Sequence, residues 1–383
     1  MRVGLDYRPA LVNREGIGRY TRELVRALIE IDFGPNIGLF GYSLGTKRVP
    51  RDELGLGDSR AELCRLRFPA RWMPWLLKKL GKGVDDLVGG AELYHHTQYN
   101  RLNVREAVEV ATLHDCIYLL DAGYNDPAAD ERMAAQATEL AQRARRILVP
   151  SEYVGAEVVM NFGVWPAQVA VTPLGVDHVA RRLPPKGFPP ADDPFLLTVS
   201  RVDPRKNHLR MLQAFEALVQ DGFPHRWVIA GPPGYRSEDF ERALDRSPAK
   251  DRVDWRRDVD EDELIRLYSQ ADVFLFTSLN EGFGLPPLEA MACGTAVVTS
   301  CITSMPEVTG DAAWLVEPTD VAQTVDALRR LLSEPDLRQD YELRGRQRAR
   351  EFTWRETARK TLLAYSAAME PEDENAHKLR RSL

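Results

Sequence analysis

The first half of the chain alternates short apolar runs with amphipathic stretches. Residues 1–5 place apolar side chains at every second position, which predicts a buried strand. Residues 20–31 then carry apolar side chains at helical spacing. Three further runs predict strands: 107–115, 144–151 and 168–177. Ser151 is placed to cap a helix, and strands that alternate with helices indicate a parallel sheet covered on both faces.

The pattern breaks at residues 178–194, which carry five prolines and almost no apolar periodicity. We therefore predict a first domain over 1–178 and a proline-rich linker over 179–194. Alternation resumes in five predicted strands: 195–200, 226–231, 271–278, 295–300 and 312–316. They predict a second domain over 195–353, so the expected fold class is α/β with two Rossmann-like, doubly wound domains.

Helical patterns dominate the C-terminal part of the chain. Three helical stretches follow residue 321 without a clear strand between them. We expect the last, near 354–368, to pack back on the first domain. Residues 369–383 are too polar to pack, which predicts a disordered tail.

Composition narrows the class of protein. With 383 residues and 44% hydrophobic content, the chain can form two cores with a cleft between them. The formal charge of −6 argues against a nucleic-acid binder held by phosphate contacts. The four cysteines form no Cys-x-x-Cys pair, so neither a disulfide framework nor a zinc site is indicated. Neither a leader pattern nor an apolar run of spanning length is present, so we expect a cytoplasmic protein.

Ligands of open parallel sheets bind beyond the carboxyl ends of the strands, so the loops there should hold the functional residues. Gly16 and Gly18 follow the first strand, where glycines let the backbone approach a ligand and a helix N-terminus can face an anion. This is not the dinucleotide fingerprint, because Thr21 stands where the third glycine would be. A tight turn explains the two glycines equally well.

Three cations follow the first strand of the second domain. Arg201, Arg205 and Lys206 lie at or just before a predicted helix N-terminus, where positive charge opposes the helix dipole. An anion such as a diphosphate would explain them. A solvated basic turn is the alternative, and position alone does not decide between the two.

Two carboxylates stand eight positions apart around a Gly-Phe-Gly-Leu-Pro-Pro turn. Glu281 lies in the loop after a predicted strand, and Pro286 and Pro287 suit the first turn of a helix. Glu289 then lies about one turn inside that helix, so both carboxylates can face the same cleft. The alternative is that Glu289 offsets the helix dipole and Glu281 is a surface charge.

The stretch "EGFGLPPLEAMACGTAVVTS" resembles the Glu-x7-Glu signature of the retaining glycosyltransferases of family 4, which have the GT-B fold. "DEDELIRLYSQADVFLFTS", "SMPEVTGDAAWLV" and "FTWRETARKTLLAY" are similar to that family in the same order. "EGFGLP" followed by "MPEV" resembles its mannosyltransferase branch. The resemblance implies two domains facing each other across a cleft, and transfer of a hexose from a nucleotide diphosphate sugar to an acceptor hydroxyl with retained anomeric configuration.

The resemblance also implies roles for the cations and carboxylates. Arg201 and Lys206 would neutralise the donor diphosphate. Glu281 would contact the donor sugar near its reacting end, and Glu289 would bind the ribose hydroxyls. His114, in "TLHD", would lie near the primary hydroxyl of the sugar, although a lone histidine after a strand is otherwise more typical of a structural role.

Backbone groups have implied roles as well. Gly16 and Gly18 would approach the diphosphate and the acceptor from the first domain. Sugar hydroxyls would be held by the amides of Gly282, Phe283, Gly284 and Leu285. Two positions depart from the family pattern: Leu174 stands where Asn is common, and prolines replace an aliphatic pair at 286–287.

GDP-mannose is the favoured donor, with UDP-glucose or another UDP-sugar as the alternative. We expect no cofactor and no metal. Asp258 and Asp260 match a metal-binding Asp-x-Asp pattern, but Asp260 with Glu263 is also a helix-start box. The cations already named can stabilise the leaving diphosphate instead.

Residues 65–83 combine basic and aromatic side chains in the manner of helices that lie on a membrane surface. The acceptor, a glycan or a lipid-linked molecule, would then be met at the inner face of the membrane. The alternative is a helix packed on the first domain with a solvated basic face. A non-catalytic nucleotide-sugar-binding protein, an epimerase and a phosphorylase also remain open, whereas the missing third glycine disfavours an oxidoreductase.

Overall fold

Two parallel sheets organise the chain. The computed structural model describes residues 1–13, 16–32, 34–44, 54, 56–57, 59–120, 122–184 and 187–371. The first sheet has the order β3-β2-β1-β4-β5-β6-β7. Its strands are β1 (Arg2–Asp6), β2 (Asn36–Tyr42), β3 (Ala61–Leu66), β4 (Leu93–His96), β5 (Val108–Thr112), β6 (Arg146–Val149) and β7 (Val169–Val171). The helices of this part are α1 (Arg8–Val12), α2 (Ile17–Glu30), α3 (Met73–Leu80), α4 (Val84–Leu87), α5 (Pro127–Arg143) and α6 (Glu152–Phe162).

The second sheet has the order β10-β9-β8-β11-β12-β13. Its strands are β8 (Phe195–Val199), β9 (Arg226–Ala230), β10 (Val253–Arg256), β11 (Val273–Phe276), β12 (Ala296–Ser300) and β13 (Trp314–Val316). The helices that follow β8 along the chain are α7 (His208–Gln220), α8 (Ser237–Arg246), α9 (Glu261–Gln270), α10 (Leu285–Cys293), α11 (Met305–Thr309), α12 (Val321–Ser333), α13 (Pro335–Ala349) and α14 (Trp354–Met369). Neighbouring strands pair in parallel in both sheets. The prediction of two doubly wound α/β domains is confirmed.

Four strands were not singled out by the apolar pattern: β2, β3, β4 and β10. Strand β2 shows why, because two glycines interrupt its alternation. A Cβ atom on Gly38 would lie 2.7 Å from the Cβ of Val88, and one on Gly41 would lie 2.4 Å from Cδ1 of Leu11. Close packing therefore requires glycine at positions where a strand pattern would show larger side chains.

Two helix starts were predicted correctly from local sequence. Ser151 caps α6 by accepting a hydrogen bond from the amide of Val154. Asp260 caps α9 by accepting one from the amide of Glu263 at 2.8 Å. Both caps satisfy amides that the helix itself leaves without partners.

Helix α14 lies against the first sheet. The Tyr365 hydroxyl and Nδ1 of His95 are 2.7 Å apart, and His95 is on β4. The amide of Trp354 donates to Asp177 Oδ1 at 2.7 Å. The end of the predicted tail, 372–383, and residues 185–186 of the predicted linker lie outside the described residues.

Two negative observations apply to the part of the chain just described. None of its helices combines the length and the apolar character that a membrane span requires. Its four cysteines are free thiols.

Candidate active site between the two sheets

A short turn after β8 sets the position of the basic residues. Pro204–Lys206 form one 3₁₀ turn, and Asp203 caps it by accepting a hydrogen bond from the amide of Lys206 at 3.1 Å. Asn207 follows in the left-handed region, with φ 64°, and α7 begins after it. A non-glycine residue at positive φ is uncommon, and here the Asn207 side chain donates to the carbonyls of Thr277 and Pro318. The turn is thereby fixed to the loop after β11, which carries Glu281.

Glu281 is held by two cations and a hydroxyl at one oxygen. Its Oε1 lies 2.5 Å from Nζ of Lys206 and 2.9 Å from Nη1 of Arg205. The hydroxyl of Ser278 donates to the same oxygen at 2.5 Å. Burial raises the pKa of Glu281, but Arg205 and Lys206 outweigh it and hold the pKa at about 2. The carboxylate is therefore ionised at neutral pH.

Arg201 lies apart from this cluster. Its side chain is 58% exposed, and its Nε is 3.5 Å from Asp203 Oδ2. Lys206 and Arg205 therefore both contact Glu281, whereas Arg201 lies exposed at the edge of the same turn. Burial and the neighbouring Arg205 lower the pKa of Lys206.

Glu289 is bound by residues of both domains. Nη1 of Arg19, on α2, is 2.8 Å from Glu289 Oε1, and Nε2 of His178 is 3.0 Å from the same oxygen. The hydroxyl of Tyr268 donates to Oε2 at 2.9 Å. Burial raises the pKa of Glu289, but Arg19 and His178 overcome it and hold the pKa at about 2. The two glutamates of the signature therefore sit in separate ion-pair clusters.

His178 links the C-terminal helix to Glu289. The indole N–H of Trp354, the first residue of α14, donates to Nδ1 of His178 at 3.1 Å. Nε2 of His178 lies 2.8 Å from Nη1 of Arg19 and 3.0 Å from Oε1 of Glu289. The C-terminal helix therefore helps to hold the imidazole beside the Arg19–Glu289 pair.

The glycines of the signature loop allow the two domains to touch. A Cβ atom on Gly282 would lie 2.0 Å from the carbonyl oxygen of His114. The Ser151 hydroxyl donates to the carbonyl of Gly282 at 2.6 Å. Gly284 adopts φ 95°, and a Cβ atom there would lie 2.2 Å from Cε of Met305.

The loop then leads into α10, as predicted. Phe283 is buried and packs on Phe352 with ring centroids 5.9 Å apart. Leu285 begins α10, with the two prolines in its first turn and Glu289 one turn inside. The amide nitrogens of 282–284 donate to no backbone carbonyl of a described residue.

His114 follows β5 and faces the same boundary. Its Nε2 lies 3.0 Å from the carbonyl of Thr97, and the ring packs edge-on against Tyr20 with centroids 4.9 Å apart. Burial lowers the pKa of His114 to about 4. The imidazole is therefore neutral near pH 7 and donates through Nε2.

Glycine is required at positions 16 and 18 for two different local reasons. Gly16 caps α2 with φ 49°, and its carbonyl accepts from the amide of Tyr20 at 2.9 Å. A Cβ atom on Gly18 would lie 1.9 Å from the carbonyl oxygen of Asn13. The close approach at Gly18 is therefore to the chain's own backbone. It places the next residue, Arg19, at the domain boundary.

Sequence reasoning missed most partners of the two carboxylates. Arg19 was adjacent to a loop already singled out, and Arg205 was within the basic turn but received no role. Tyr268 and His178 had no signal of their own, since a tyrosine in an amphipathic helix and a histidine beside a linker are typical of packing. Leu174, the departure from Asn, belongs to the hydrophobic core.

The described residues contain no group of three or more His, Cys, Asp or Glu side chains that could hold a metal ion. Asp260 of the Asp-x-Asp stretch serves as the α9 cap.

Family profiles match both halves of the chain. Residues 14–179 match the profile described as Glycosyltransferase Family 4. Residues 180–348 match the profile described as Glycosyl transferases group 1. The border between the two matches coincides with the start of the predicted linker.

Curated relatives include mannosyltransferases. O-antigen chain mannosyltransferase B of Escherichia coli is 27% identical over 376 residues, which is 91% of this chain and 95% of that protein. The MMP alpha-(1->4)-mannosyltransferase of Mycolicibacterium hassiacum is 32% identical over 239 residues, which is 60% of this chain and 56% of that protein.

Solved structures share the fold. Sucrose-phosphate synthase from Thermosynechococcus elongatus superposes with a TM-score of 0.73 at 20% identity, covering 96% of this chain and 98% of that one. Anabaena HepE in complex with UDP and glucose gives a TM-score of 0.73 at 15% identity, with coverages of 95% and 99%. The architecture is therefore GT-B. The two profiles together cover residues 14–348, and a mannosyltransferase relative aligns along nearly its full length. The chain therefore belongs to glycosyltransferase family 4 and is a hexosyltransferase similar to the mannosyltransferases of that family.

Proposed function

We propose that the protein transfers mannose from GDP-mannose to a hydroxyl of a glycan or lipid-linked acceptor, with retention of anomeric configuration. The observation that carries the proposal is the convergence of Lys206 and Arg205 on Glu281 at the domain boundary. This arrangement holds an ionised carboxylate and two cations beside the amides of 282–284. Such a set suits a sugar with a diphosphate leaving group.

Each group has a part in the proposed reaction. Lys206 and the exposed Arg201 bind the diphosphate, while Arg205 keeps Glu281 in place. Oε2 of Glu281 accepts no hydrogen bond from a described residue, which supports its proposed contact with the donor sugar. Glu289 binds the ribose. Both of its carboxylate oxygens now accept hydrogen bonds within the protein, so one of these bonds must break when the ribose binds.

Retention follows from attack on the face that the phosphate leaves. The bond from the anomeric carbon to the phosphate oxygen breaks, and the acceptor oxygen bonds to the same carbon from the same side. The departing phosphate takes the acceptor proton. Glu281 is held by three partners at Oε1, which favours an electrostatic role over that of a covalent nucleophile. Lys206 and Arg201 stabilise the negative charge that develops on the phosphate, and no metal ion is needed for this.

The donor is assigned from the relatives. The mannosyltransferases among them favour mannose, and the O-antigen enzyme of Escherichia coli favours a role in cell-surface polysaccharide synthesis. UDP-glucose or another UDP-sugar is the second candidate, because one structure with the same fold was solved with UDP and glucose. A non-catalytic nucleotide-sugar-binding protein is the third.

A thermal-shift panel of GDP, UDP, ADP and their sugars tests the donor. GDP and GDP-mannose should raise the melting temperature most, because a ligand of the native state stabilises it. Transfer of mannose is then followed by proton NMR of the product, in which the first-formed anomer reports retention. A larger shift with UDP would move the assignment to a UDP-sugar, and no shift with any nucleotide would refute the proposed function.

We also propose that α3 contacts the membrane from the cytoplasmic side. One face of the helix packs on the first domain through Met73 and Leu77, which are fully buried. Trp75 on the other face is 52% exposed, and Trp72, which directly precedes the helix, is 49% exposed. Lys79 lies over the Trp75 ring, with Nζ 5.1 Å from its centroid. Exposed tryptophans beside cations suit the interface of an anionic bilayer.

A further inference from the structure

We infer that four side chains beside the active site form a subsite for an uncharged sugar of the acceptor. They are Tyr118, Tyr153, Glu157 and Asn280, here called the acceptor cluster. The inference rests on the proposed function and adds to it the chemical class of the acceptor. Neither the donor chemistry nor the two carboxylate clusters uses these four residues.

Three buried polar atoms of the acceptor cluster lack partners. They are the Tyr118 hydroxyl, Oε2 of Glu157 and Oδ1 of Asn280, none of which meets a hydrogen-bond partner among the described residues. Tyr118 is only 4% exposed and Asn280 only 6%. A buried polar atom without a partner is costly, so such atoms commonly mark a place that a ligand or water fills.

Hydrogen bonds connect the cluster internally. The Tyr153 hydroxyl donates to Oε1 of Glu157 at 2.9 Å. Nδ2 of Asn280 lies 3.5 Å from the Tyr153 hydroxyl. Burial, and after it the neighbouring Cys116 and Asp115, raises the pKa of Tyr118. One oxygen of Glu157 is thus held in place, and the other is left for a ligand.

The cluster lies across the domain boundary and next to the catalytic carboxylate. Asn280 directly precedes Glu281, and its carbonyl accepts from Nη1 of Arg205 at 2.6 Å. The other three residues belong to the first domain. At the same boundary the amide of Tyr153 donates to Glu307 of the second domain at 3.2 Å. The cluster therefore spans the boundary beside the proposed donor site, where an acceptor sugar would enter as the domains separate.

The chemistry of the unpartnered atoms selects the ligand class. Oε2 of Glu157 and Oδ1 of Asn280 accept hydrogen bonds, and the Tyr118 hydroxyl can donate one. Neighbouring hydroxyls of a hexose both donate and accept, so they can satisfy all three atoms. The side chains of the cluster form no ion pair with a described Lys or Arg, and Asp115 adds a carboxyl nearby. The cluster therefore offers no cation of its own to a phosphorylated acceptor.

Saturation-transfer NMR on the full chain saturated with GDP tests the subsite. The probes are the methyl α-glycosides of mannose, glucose and galactose, with mannose 6-phosphate as the charged comparison. At least one neutral glycoside should show saturation and bind more tightly than mannose 6-phosphate. Glu157→Gln and Asn280→Ala should weaken that binding about tenfold, and Tyr118→Phe several-fold, because each removes a hydrogen bond to the ligand.

Glu152→Gln is the matched control, since Glu152 is an exposed glutamate on the same helix as Glu157. Its glycoside affinity should equal that of the unaltered protein, and the affinity for GDP should be the same in all four variants. The inference is overturned if no neutral glycoside binds the GDP complex, if the phosphorylated sugar binds more tightly, or if the cluster variants match the control. Failure of GDP itself to bind would instead refute the proposed function, so the two failures are distinguishable.

Discussion

Arg19 of α2 and Glu289 of α10 form a buried ion pair across the domain boundary, with Nη1 2.8 Å from Oε1. Both side chains are nearly inaccessible to solvent, so the pair is not screened as a surface pair would be. Its removal leaves a buried carboxylate with only His178 and Tyr268 as partners among the described residues. The pair therefore links the stability of the domain arrangement to the residue proposed to bind the donor ribose.

Arg19→Met should destabilise the protein by about 3–5 kcal/mol, because it removes one partner of a buried ion pair. Urea unfolding measures the loss. The double variant with Glu289→Met should recover part of it, since no unpaired charge then remains. Arg26→Met is the control on the same helix: Arg26 is partly exposed and, among the described residues, pairs with Glu23 one turn away, so its loss should cost about 0.5 kcal/mol. Equal effects of the two single variants would contradict the argument.

Acid should weaken the fold through the two signature glutamates. Their pKa values lie at about 2 in the folded chain, below the ordinary value of 4.5. The unfolded chain therefore takes up protons near pH 4.5 while the folded chain does so only near pH 2. The stabilisation is complete above pH 4.5 and is lost as the pH falls toward 2.

Comparison with Glu289→Gln isolates one of these groups. The stability difference between the unaltered protein and the variant should be smaller at pH 3 than at pH 7 by roughly 2 kcal/mol. Urea unfolding at the two pH values supplies the measurement. A difference that does not change with pH would show that Glu289 titrates normally.

Lys206→Ala should abolish transfer while the protein still folds, because Arg205 continues to pair with Glu281. Arg201→Ala should weaken GDP binding about tenfold or more if Arg201 joins Lys206 on the diphosphate. Calorimetric titration with GDP and a transfer assay measure the two effects. Arg329→Ala is the control for Arg201: it too is exposed and pairs with one aspartate, Asp221. Near-normal turnover of Lys206→Ala would show that Lys206 takes no part in the transfer reaction.

Gly282→Ala should prevent the domains from closing. The added Cβ would lie 2.0 Å from the His114 carbonyl oxygen, a backbone atom that cannot move aside without shifting its domain. We expect transfer to fall at least 100-fold, in the range set by misplacing reacting groups by about 1 Å. Gly155→Ala is the control, because the Cβ atom there would have its nearest neighbour at 3.6 Å. Small-angle scattering should show a larger radius of gyration for Gly282→Ala only.

The double variant Trp72→Ala, Trp75→Ala should lose binding to anionic vesicles. Flotation with vesicles of phosphatidylglycerol and phosphatidylcholine measures the bound fraction. Trp165→Ala is the control, since Trp165 is exposed by 46% but lies far from Trp72 and Trp75 along the chain. Absence of binding by the unaltered protein would leave α3 with its packing role alone.

Local signals in the sequence were read correctly where short-range chemistry decides the structure. The caps at Ser151 and Asp260, and the prolines that open α10, each depend on residues within one turn. The site depends on longer distances. Arg19 and Glu289 are 270 positions apart, and no periodicity relates them.

The basic turn at 201–206 also could not be predicted from the sequence, although its residues are close together along the chain. Three cations stand within six residues, and their spacing does not say which of them points inward. The 3₁₀ turn and the left-handed Asn207 decide it, by directing Arg205 and Lys206 toward Glu281 and leaving Arg201 exposed. Asn207 is held by carbonyls at 277 and 318, so the turn cannot be derived from its own residues.

Helix α14 has a consequence for the order in which the protein can fold. A ribosome makes β4 long before it makes α14, yet Nδ1 of His95 on β4 finds its partner in the Tyr365 hydroxyl, while Nε2 pairs with Thr112 inside the sheet. Until that helix leaves the exit tunnel, the nascent N-terminal sheet keeps one surface uncovered and Nδ1 of His95 without its native partner. Translation thus delivers the second domain complete before the first can finish.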